Sequence, residues 1–231
     1  MYKFKVSQFT GGQTIVWSAG WLVAALLAWV SIATPALAHH AMDGQMPTNF
    51  FEGFLTGLAH PLIGVDHFAF IVAIGLLAAT RRQGILIPIG FGLAAMVGTG
   101  LHLVNVTIPG VELLVAGSIV IFSGLLIAPA KLGTVAITGL AAAAGLCHGY
   151  AYGEAIFGAE TTPLVAYLIG FTLVQMGVSL AAFRVGKALL ARHGEVQASQ
   201  GLGPAGWLLC GVGLAFLVPQ LIEFLLPTPI S

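Results

Sequence analysis

The sequence contains little charge: only 7% of its 231 residues are Asp, Glu, Lys or Arg, against roughly 25% in an ordinary soluble domain. Eight basic and eight acidic residues give a formal net charge of zero, and no basic run indicates a nucleic-acid surface. We therefore expect no nucleic-acid partner. Cysteine is also scarce. Cys147 and Cys210 both lie in apolar segments, where a buried packing role fits better than a disulfide framework.

Long hydrophobic runs are abundant instead. The hydrophobic residues make up 58% of the chain, and apolar runs of about 20 residues recur along nearly its whole length, each long enough to cross a bilayer as a helix. The composition therefore predicts an all-α, polytopic helical membrane protein whose main solvent is the lipid bilayer.

The N-terminus has the pattern of a targeting segment. An apolar stretch over residues 15–32 follows a basic start, and Ala36-Leu37-Ala38 fits the small-residue rule for signal peptidase. Residues 1–38 are therefore either a cleaved signal peptide or an uncleaved anchor. Both alternatives place His39 outside the membrane.

Helix-breaking Gly and Pro residues divide the rest of the chain, residues 51–231, into a six-helix transmembrane domain. The predicted spans cover residues 51–80, 85–106, 111–128, 133–150, 163–189 and 205–226. Every basic residue after Lys5 lies at or just after the end of the first, third or fifth of these spans. By the positive-inside rule, this distribution predicts a multi-pass protein of the bacterial inner membrane with a periplasmic mature N-terminus.

The first predicted span carries three ionisable groups, His60, Asp66 and His67, in an otherwise apolar helix. An intramembrane aspartate costs about 2.5 to 3.5 kcal/mol on insertion scales and should face the bundle interior. In a continuous helix the two histidines share a face but lie roughly 10 Å apart. They would then be two stations on a path, or ligands completed by another helix. A kink at Pro61 would change these directions, and a structural Asp66–His hydrogen bond is the alternative to a functional site.

A second group of polar residues lies at the end of the fourth span. His148 and Tyr152 would share one helix face if the helix continues. The neighbouring glycines instead favour fraying, which would let Glu154 fold back toward His148. Tyr150 and Tyr152 also fit an interfacial aromatic belt.

Further candidate ligands cluster on the side predicted to be periplasmic. Imidazole combined with carboxylate suits nickel, cobalt, zinc or copper(II), whereas calcium and magnesium prefer oxygen ligands alone. Residues 39–50 are predicted to be a periplasmic metal-capturing segment, and Gln175 is expected to join helices rather than bind metal. The predicted metal ligands are His39, His40, His60, Asp66, His67, His102, Glu112, His148 and Glu154.

At these residues the sequence resembles the HupE/UreJ family, small membrane proteins associated with hydrogenase and urease gene clusters and regarded as nickel permeases. The family's first signature, a His followed after five residues by Asp-His, is matched by His60, Asp66 and His67. Its second signature resembles His-Gly-x-Ala-His-Gly-x-Glu. Here Tyr152 replaces the second His and Glu154 comes one residue early, which makes cobalt an option beside nickel.

The resemblance implies transport rather than catalysis, with Ni²⁺ or Co²⁺ as the substrate and no organic cofactor. No nucleotide-binding loop occurs in the sequence. The membrane potential or a proton gradient would therefore drive uptake, unless a partner chain supplies ATP hydrolysis. Two alternatives stay open: an intramembrane metalloenzyme that uses the same ligands to activate water, and a metal sensor or assembly factor. The sequence leaves the oligomeric state undetermined.

Overall fold

A computed structural model of the protein describes residues 45–128, 130–197 and 202–226, and these form seven α-helices with no β-strand among them. The helices are α1 (Phe50–Ile63), α2 (Val65–Ala79), α3 (Leu86–Leu103), α4 (Val111–Ile127), α5 (Thr134–Glu154), α6 (Thr161–Gln197) and α7 (Gly203–Leu225). The predicted all-α class is confirmed. The predicted targeting segment, together with His39 and His40, lies outside the described residues.

Four of these helices, α3, α5, α6 and α7, are long and apolar enough to cross a membrane. The pair α1 and α2 meets the same criterion only when counted as one span with a bend of 76°. α4 has 17 residues, or roughly 26 Å of helix, and falls just short. The chain is therefore a multi-pass membrane protein, while its division into six spans stays a prediction.

The break between α1 and α2 lies at Gly64, so the span predicted over residues 51–80 is two helices, and the bend follows Pro61 by three residues. Pro61 remains inside α1, and the backbone becomes extended only at Gly64, with ψ of 98°. A Cβ added at Gly64 would lie 2.8 Å from Cδ2 of His67 and 3.2 Å from Oδ1 of Asp66. Glycine fits this corner because the side chains of the next helix fold back over it.

The helices α2 and α6 run parallel and in close contact. Gly75 on α2 lies against the backbone oxygen of Ser179, and Gly186 on α6 lies against Ala79. Such small residues allow close approach where lipid removes the hydrophobic drive between helices. The two contacts define the register between α2 and α6. A residue of α2 lies at the same level along the helix axes as the residue of α6 that is 104 to 107 positions later in the chain.

The helices α3 and α5 form the second parallel pair, and they share the most extensive contact in the protein. Gly145 lies against the backbone oxygen of Phe91, and Gly149 lies against the backbone of Ala95. The hydroxyl of Thr99 donates to the backbone oxygen of Gly149 at 2.7 Å. Because glycine has no side chain, the backbones of the two helices come into direct contact, and this hydrogen bond stabilises the contact.

Basic residues gather at one end of the bundle. Arg81, after α2, donates from Nη1 to the backbone oxygen of Leu132 at 2.9 Å, which joins the end of α2 to the connection that precedes α5. Lys131 lies in that connection. Arg184 and Lys187 flank the stretch of α6 that contacts the end of α2. We refer to this end of the bundle as the Arg81 end.

The outer surface of the helices carries large apolar side chains. Leu93, Val97 and Leu173 are each more than half exposed, and many others are similarly placed. In water, so much contiguous apolar surface would favour aggregation or partner binding. In a membrane it is the surface that contacts lipid.

Candidate functional site

Three imidazoles meet in the interior, at the bend between α1 and α2. His60, His67 and His148 are 6%, 2% and 0% exposed. The ring centroids of His60 and His67 lie 5.7 Å apart, and those of His67 and His148 lie 5.0 Å apart. The separation of roughly 10 Å that a continuous helix would give does not apply, because the helix is broken between the two histidines. The bend at Gly64 brings both side chains to one place.

The ring nitrogens of two of these histidines are in direct contact. His67 Nδ1 lies 2.9 Å from His148 Nδ1, and His148 Nε2 lies 3.0 Å from the hydroxyl oxygen of Ser118 on α4. The Ser118 hydroxyl donates its one proton to the backbone oxygen of Val115 at 2.6 Å, so it accepts from His148. A neutral His148 then carries its proton on Nε2 and presents an unprotonated Nδ1 to His67.

Tyr152 lies against two of the imidazoles. Its ring centroid is 4.6 Å from that of His67 and 5.3 Å from that of His60. Tyr167 on α6 donates its hydroxyl to the backbone oxygen of Tyr152 at 2.8 Å. The side chain of Tyr152 is fully buried, and within the described residues its own hydroxyl has no hydrogen-bond partner. A phenol oxygen is therefore left unpaired beside the imidazole pair.

The position of Tyr152 decides between the two conformations that the sequence left open for the end of α5. The helix runs without interruption to Glu154, so Tyr152 and His148, four residues apart, share one face. The alternative, in which the glycines fray the helix and Glu154 folds back toward His148, is wrong. Glu154 is exposed at the end of α5.

Aromatic rings enclose the site on its other sides. The ring of Phe70 lies 4.4 Å from that of His148, and the ring of Phe91 lies 5.6 Å from it. Phe171 on α6 packs against Tyr152 with centroids 5.3 Å apart. Rings in these positions exclude water, and electrostatic interactions in such low-dielectric surroundings are stronger than in water.

Among the other predicted ligands that the structure describes, Asp66 borders the cluster, since its Oδ1 and Cδ2 of His67 both lie within 3.2 Å of the place of a Cβ on Gly64. The Asp66 carboxylate is half-buried and accepts the backbone N–H of His67 at 2.8 Å. His102 packs between Tyr150 and Phe157, with centroids 4.6 and 5.5 Å away. Glu112 accepts a hydrogen bond of 2.6 Å from Gln220 of α7. Among the described residues, no three His, Cys, Asp or Glu side chains are arranged to hold one metal ion.

No pattern in the sequence indicated two residues of the site. Ser118 is a small residue in an apolar helix, where serine usually serves close packing. Tyr167 lies within the apolar start of α6, and no motif spacing relates it to the histidines. Their roles depend on which helices are neighbours, and a single sequence does not contain that information.

Glycine-packed membrane helices around buried, mutually contacting imidazoles define a polytopic membrane protein with an intramembrane polar site. The sequence model described as HupE / UreJ protein matches residues 26–216. The chain belongs to the HupE/UreJ family, which confirms the resemblance carried by its histidine motifs.

A curated relative is similar over much of the chain. This relative is Protein HupE of Rhizobium leguminosarum bv. viciae, which is 28% identical over 163 residues, covering 68% of this chain and 83% of the relative. No solved structure matches the chain.

Proposed function

We propose that this protein is a permease that carries a divalent transition metal, nickel first and cobalt second, from the periplasm to the cytoplasm. The observation that carries this proposal is the contact between His67 and His148, whose Nδ1 atoms lie 2.9 Å apart inside a membrane bundle. Imidazole is a preferred ligand of nickel and cobalt. Ionisable groups buried in membrane domains usually mark ion pathways.

The imidazole pair could open to a metal if the proton between the two Nδ1 atoms moved to Nε2 of His67, which would leave both Nδ1 atoms as ligands. That proton occupies the place where an ion would bind, and any histidine that is charged would also have to release a proton first. A metal–nitrogen bond is about 2.0 to 2.1 Å for zinc, a similar ion. Small ring rotations would therefore open the pair to a metal, with His60 and Tyr152 beside it.

The distribution of charge supports inward movement. The Arg81 end carries the basic residues and is the proposed cytoplasmic side, following the positive-inside rule. Glu112 lies at the start of α4 and Glu154 at the end of α5. Both positions are at the end of the bundle opposite the Arg81 end. These carboxylates, with His102 and residues 39–50, would collect cations before they reach His60.

An intramembrane metalloenzyme is the second candidate. Metal-dependent hydrolysis needs a general acid or base next to the metal. Asp66 is the carboxylate next to His67 in the chain. Its Oδ1 accepts the backbone N–H of His67 at the start of α2, and this hydrogen bond suits Asp66 to a structural or electrostatic role. The geometry therefore favours transport over catalysis.

The test is Ni²⁺ entry into liposomes that contain the purified protein and a fluorescent chelator inside. We expect the parent protein to admit Ni²⁺ and Co²⁺, and His148→Ala to retain less than about a tenth of that rate, the loss that one ligand worth about 1.4 kcal/mol produces. Cys147→Ala is the matched control, because Cys147 is adjacent on α5 but only half-buried. Parent protein that admits no more metal than empty liposomes would contradict the proposal.

A further inference from the structure

The amide of Gln175, on α6, is buried without a partner. The residue is 2% exposed, and in the described part of the chain neither Oε1 nor Nε2 makes a hydrogen bond. Burial of an unpaired amide is unfavourable. The sequence favoured a hydrogen bond between helices for this residue, and the described structure shows none. Gln175 therefore has unused hydrogen-bonding and ligand capacity inside the bundle.

The register of α2 and α6 places this amide just beyond the imidazoles. Gly75 lies against Ser179, and Gln175 precedes Ser179 by four residues while His67 precedes Gly75 by eight. At 1.5 Å per residue, the Gln175 position lies about 6 Å past the level of His67, toward the Arg81 end.

Contacts with two other helices give the same position. Nε2 of Gln175 lies 3.5 Å from the place of a Cβ on Gly92 of α3. Gly92 is three residues closer to the Arg81 end than Ala95, which faces Gly149 beside His148. Phe171, one turn before Gln175 on α6, packs against the ring of Tyr152.

A second oxygen lies on the same side of α6. Thr172 precedes Gln175 by three residues, so their side chains share a helix face. Oγ1 of Thr172 is also buried without a hydrogen-bond partner among the described residues. By contrast, the hydroxyl of Ser179 donates to the backbone oxygen of Gln175 at 2.6 Å. Thr172, about 4.5 Å before Gln175 along α6, lies near the level of His67. Within the described residues, Gln175 and Thr172 thus offer two oxygens without a hydrogen-bond partner, from the level of the imidazoles to one turn beyond them.

We propose that Gln175, assisted by Thr172, forms a second station that receives the divalent cation as it leaves the imidazoles toward the Arg81 end. This inference rests on the proposed transport function. An amide oxygen is a neutral ligand that binds nickel or cobalt more weakly than imidazole does, and its N–H groups can hold water that accompanies the ion. Conduction requires sites that bind well enough to admit an ion and weakly enough to release it. Weak oxygen ligands after strong nitrogen ligands meet that requirement.

The experiment compares Ni²⁺ uptake by liposomes with equilibrium Ni²⁺ binding by the same protein in detergent. Gln175→Leu should bind Ni²⁺ within about twofold of the parent, since the imidazoles are unchanged, while its uptake rate falls at least about tenfold. Gln175→Asn, which withdraws the amide by one methylene, should also lose rate and serves if the leucine variant does not fold. Ser179→Ala is the matched control, because Ser179 is equally buried but its hydroxyl is satisfied within α6.

Each outcome decides the inference. Uptake at the parental rate by Gln175→Leu, or by Gln175→Asn if only that variant folds, overturns the second station while the transport function stands. Loss of Ni²⁺ binding together with uptake also overturns it, because Gln175 would then support the imidazoles. A parent protein that moves no Ni²⁺ overturns the transport function, and the second station with it.

Discussion

At the position of Tyr152, the HupE/UreJ signature has a histidine, and this chain has a phenol. The structure shows that the substitution falls inside the imidazole cluster, where the Tyr152 ring contacts both His60 and His67. Tyrosine can supply a neutral oxygen where histidine would supply a nitrogen. The departure from the family pattern therefore replaces an imidazole by a phenol inside the imidazole cluster.

The unpaired hydroxyl of Tyr152 leads to the first prediction. Because this buried hydroxyl has no hydrogen-bond partner among the described residues, Tyr152→Phe should leave thermal stability in detergent unchanged or raise it. If the phenol oxygen coordinates the metal, the Kd of Tyr152→Phe for Ni²⁺ should be roughly tenfold higher than that of the parent, which corresponds to about 1.4 kcal/mol. Calorimetric titration measures the affinity. Unchanged affinity would show that the phenol serves packing alone.

Ser118 allows a second prediction at the scale of one residue. Ser118→Ala removes the acceptor of the His148 Nε2 proton and leaves a buried donor unpaired, at a cost of about 1 to 3 kcal/mol in unfolding free energy. The imidazole should then lose its fixed tautomer, which nitrogen NMR of labelled histidine detects. Ser118→Thr keeps the hydroxyl and should restore most of the stability and the spectrum. A threonine variant as perturbed as the alanine variant would indicate a steric role instead.

At the scale of helices, the break at Gly64 determines the site. A continuous helix would place His60 and His67 about two turns apart, but the bend of 76° lets their rings approach. The return of helical hydrogen bonding is immediate, since Phe68 N donates to the Gly64 oxygen at 2.8 Å. The bend therefore costs few backbone hydrogen bonds and brings two imidazoles of one segment together.

The close packing of α3 and α5 gives a prediction about this helix pair. A Cβ at Gly149 would overlap the backbone of Ala95, whereas a Cβ at Gly139 on the same helix would meet nothing within 4 Å. Gly149→Ala should therefore destabilise the protein by about 1 to 3 kcal/mol or more, the range for overpacking. Gly139→Ala, the matched control, should be neutral or stabilising by up to about 1 kcal/mol through helix propensity.

Denaturant or thermal unfolding in detergent, followed by circular dichroism, measures both glycine variants. If Gly149→Ala is as stable as Gly139→Ala, the two helices are not held backbone to backbone at this level. Gly149 also neighbours His148, so we expect weakened Ni²⁺ binding to accompany its loss of stability.

At the scale of the whole molecule, charge asymmetry predicts orientation. Single cysteines would replace Arg82, at the Arg81 end, or Thr107, in the exposed connection between α3 and α4, after Cys147 and Cys210 are changed to alanine. A membrane-impermeant maleimide should label position 107 from the periplasm of cells whose outer membrane is permeable. Position 82 should react only after the inner membrane is opened. The reverse pattern would contradict the proposed direction of transport.

Composition and local pattern by themselves determined the class of this protein. The scarcity of charge and the apolar runs predicted an all-α membrane protein, and the spacing of His60, Asp66 and His67 indicated its family. These features can be read from one sequence because hydropathy and motif spacing are local properties of the chain. The ends of most helices were also predicted within a few residues, since Gly and Pro interrupt helices wherever the chain folds.

Only the tertiary structure decided how the site is built. In the structure the first span is broken at Gly64, and α5 continues beyond its glycines to include Tyr152. Ser118 lies in hydrogen-bond contact with the imidazole of His148. The tertiary structure also left the amide of Gln175 without a hydrogen-bond partner among the described residues, one turn beyond the histidines. Each of these results depends on the register and distance between helices far apart in the chain, which follow from how their surfaces pack and not from any local pattern.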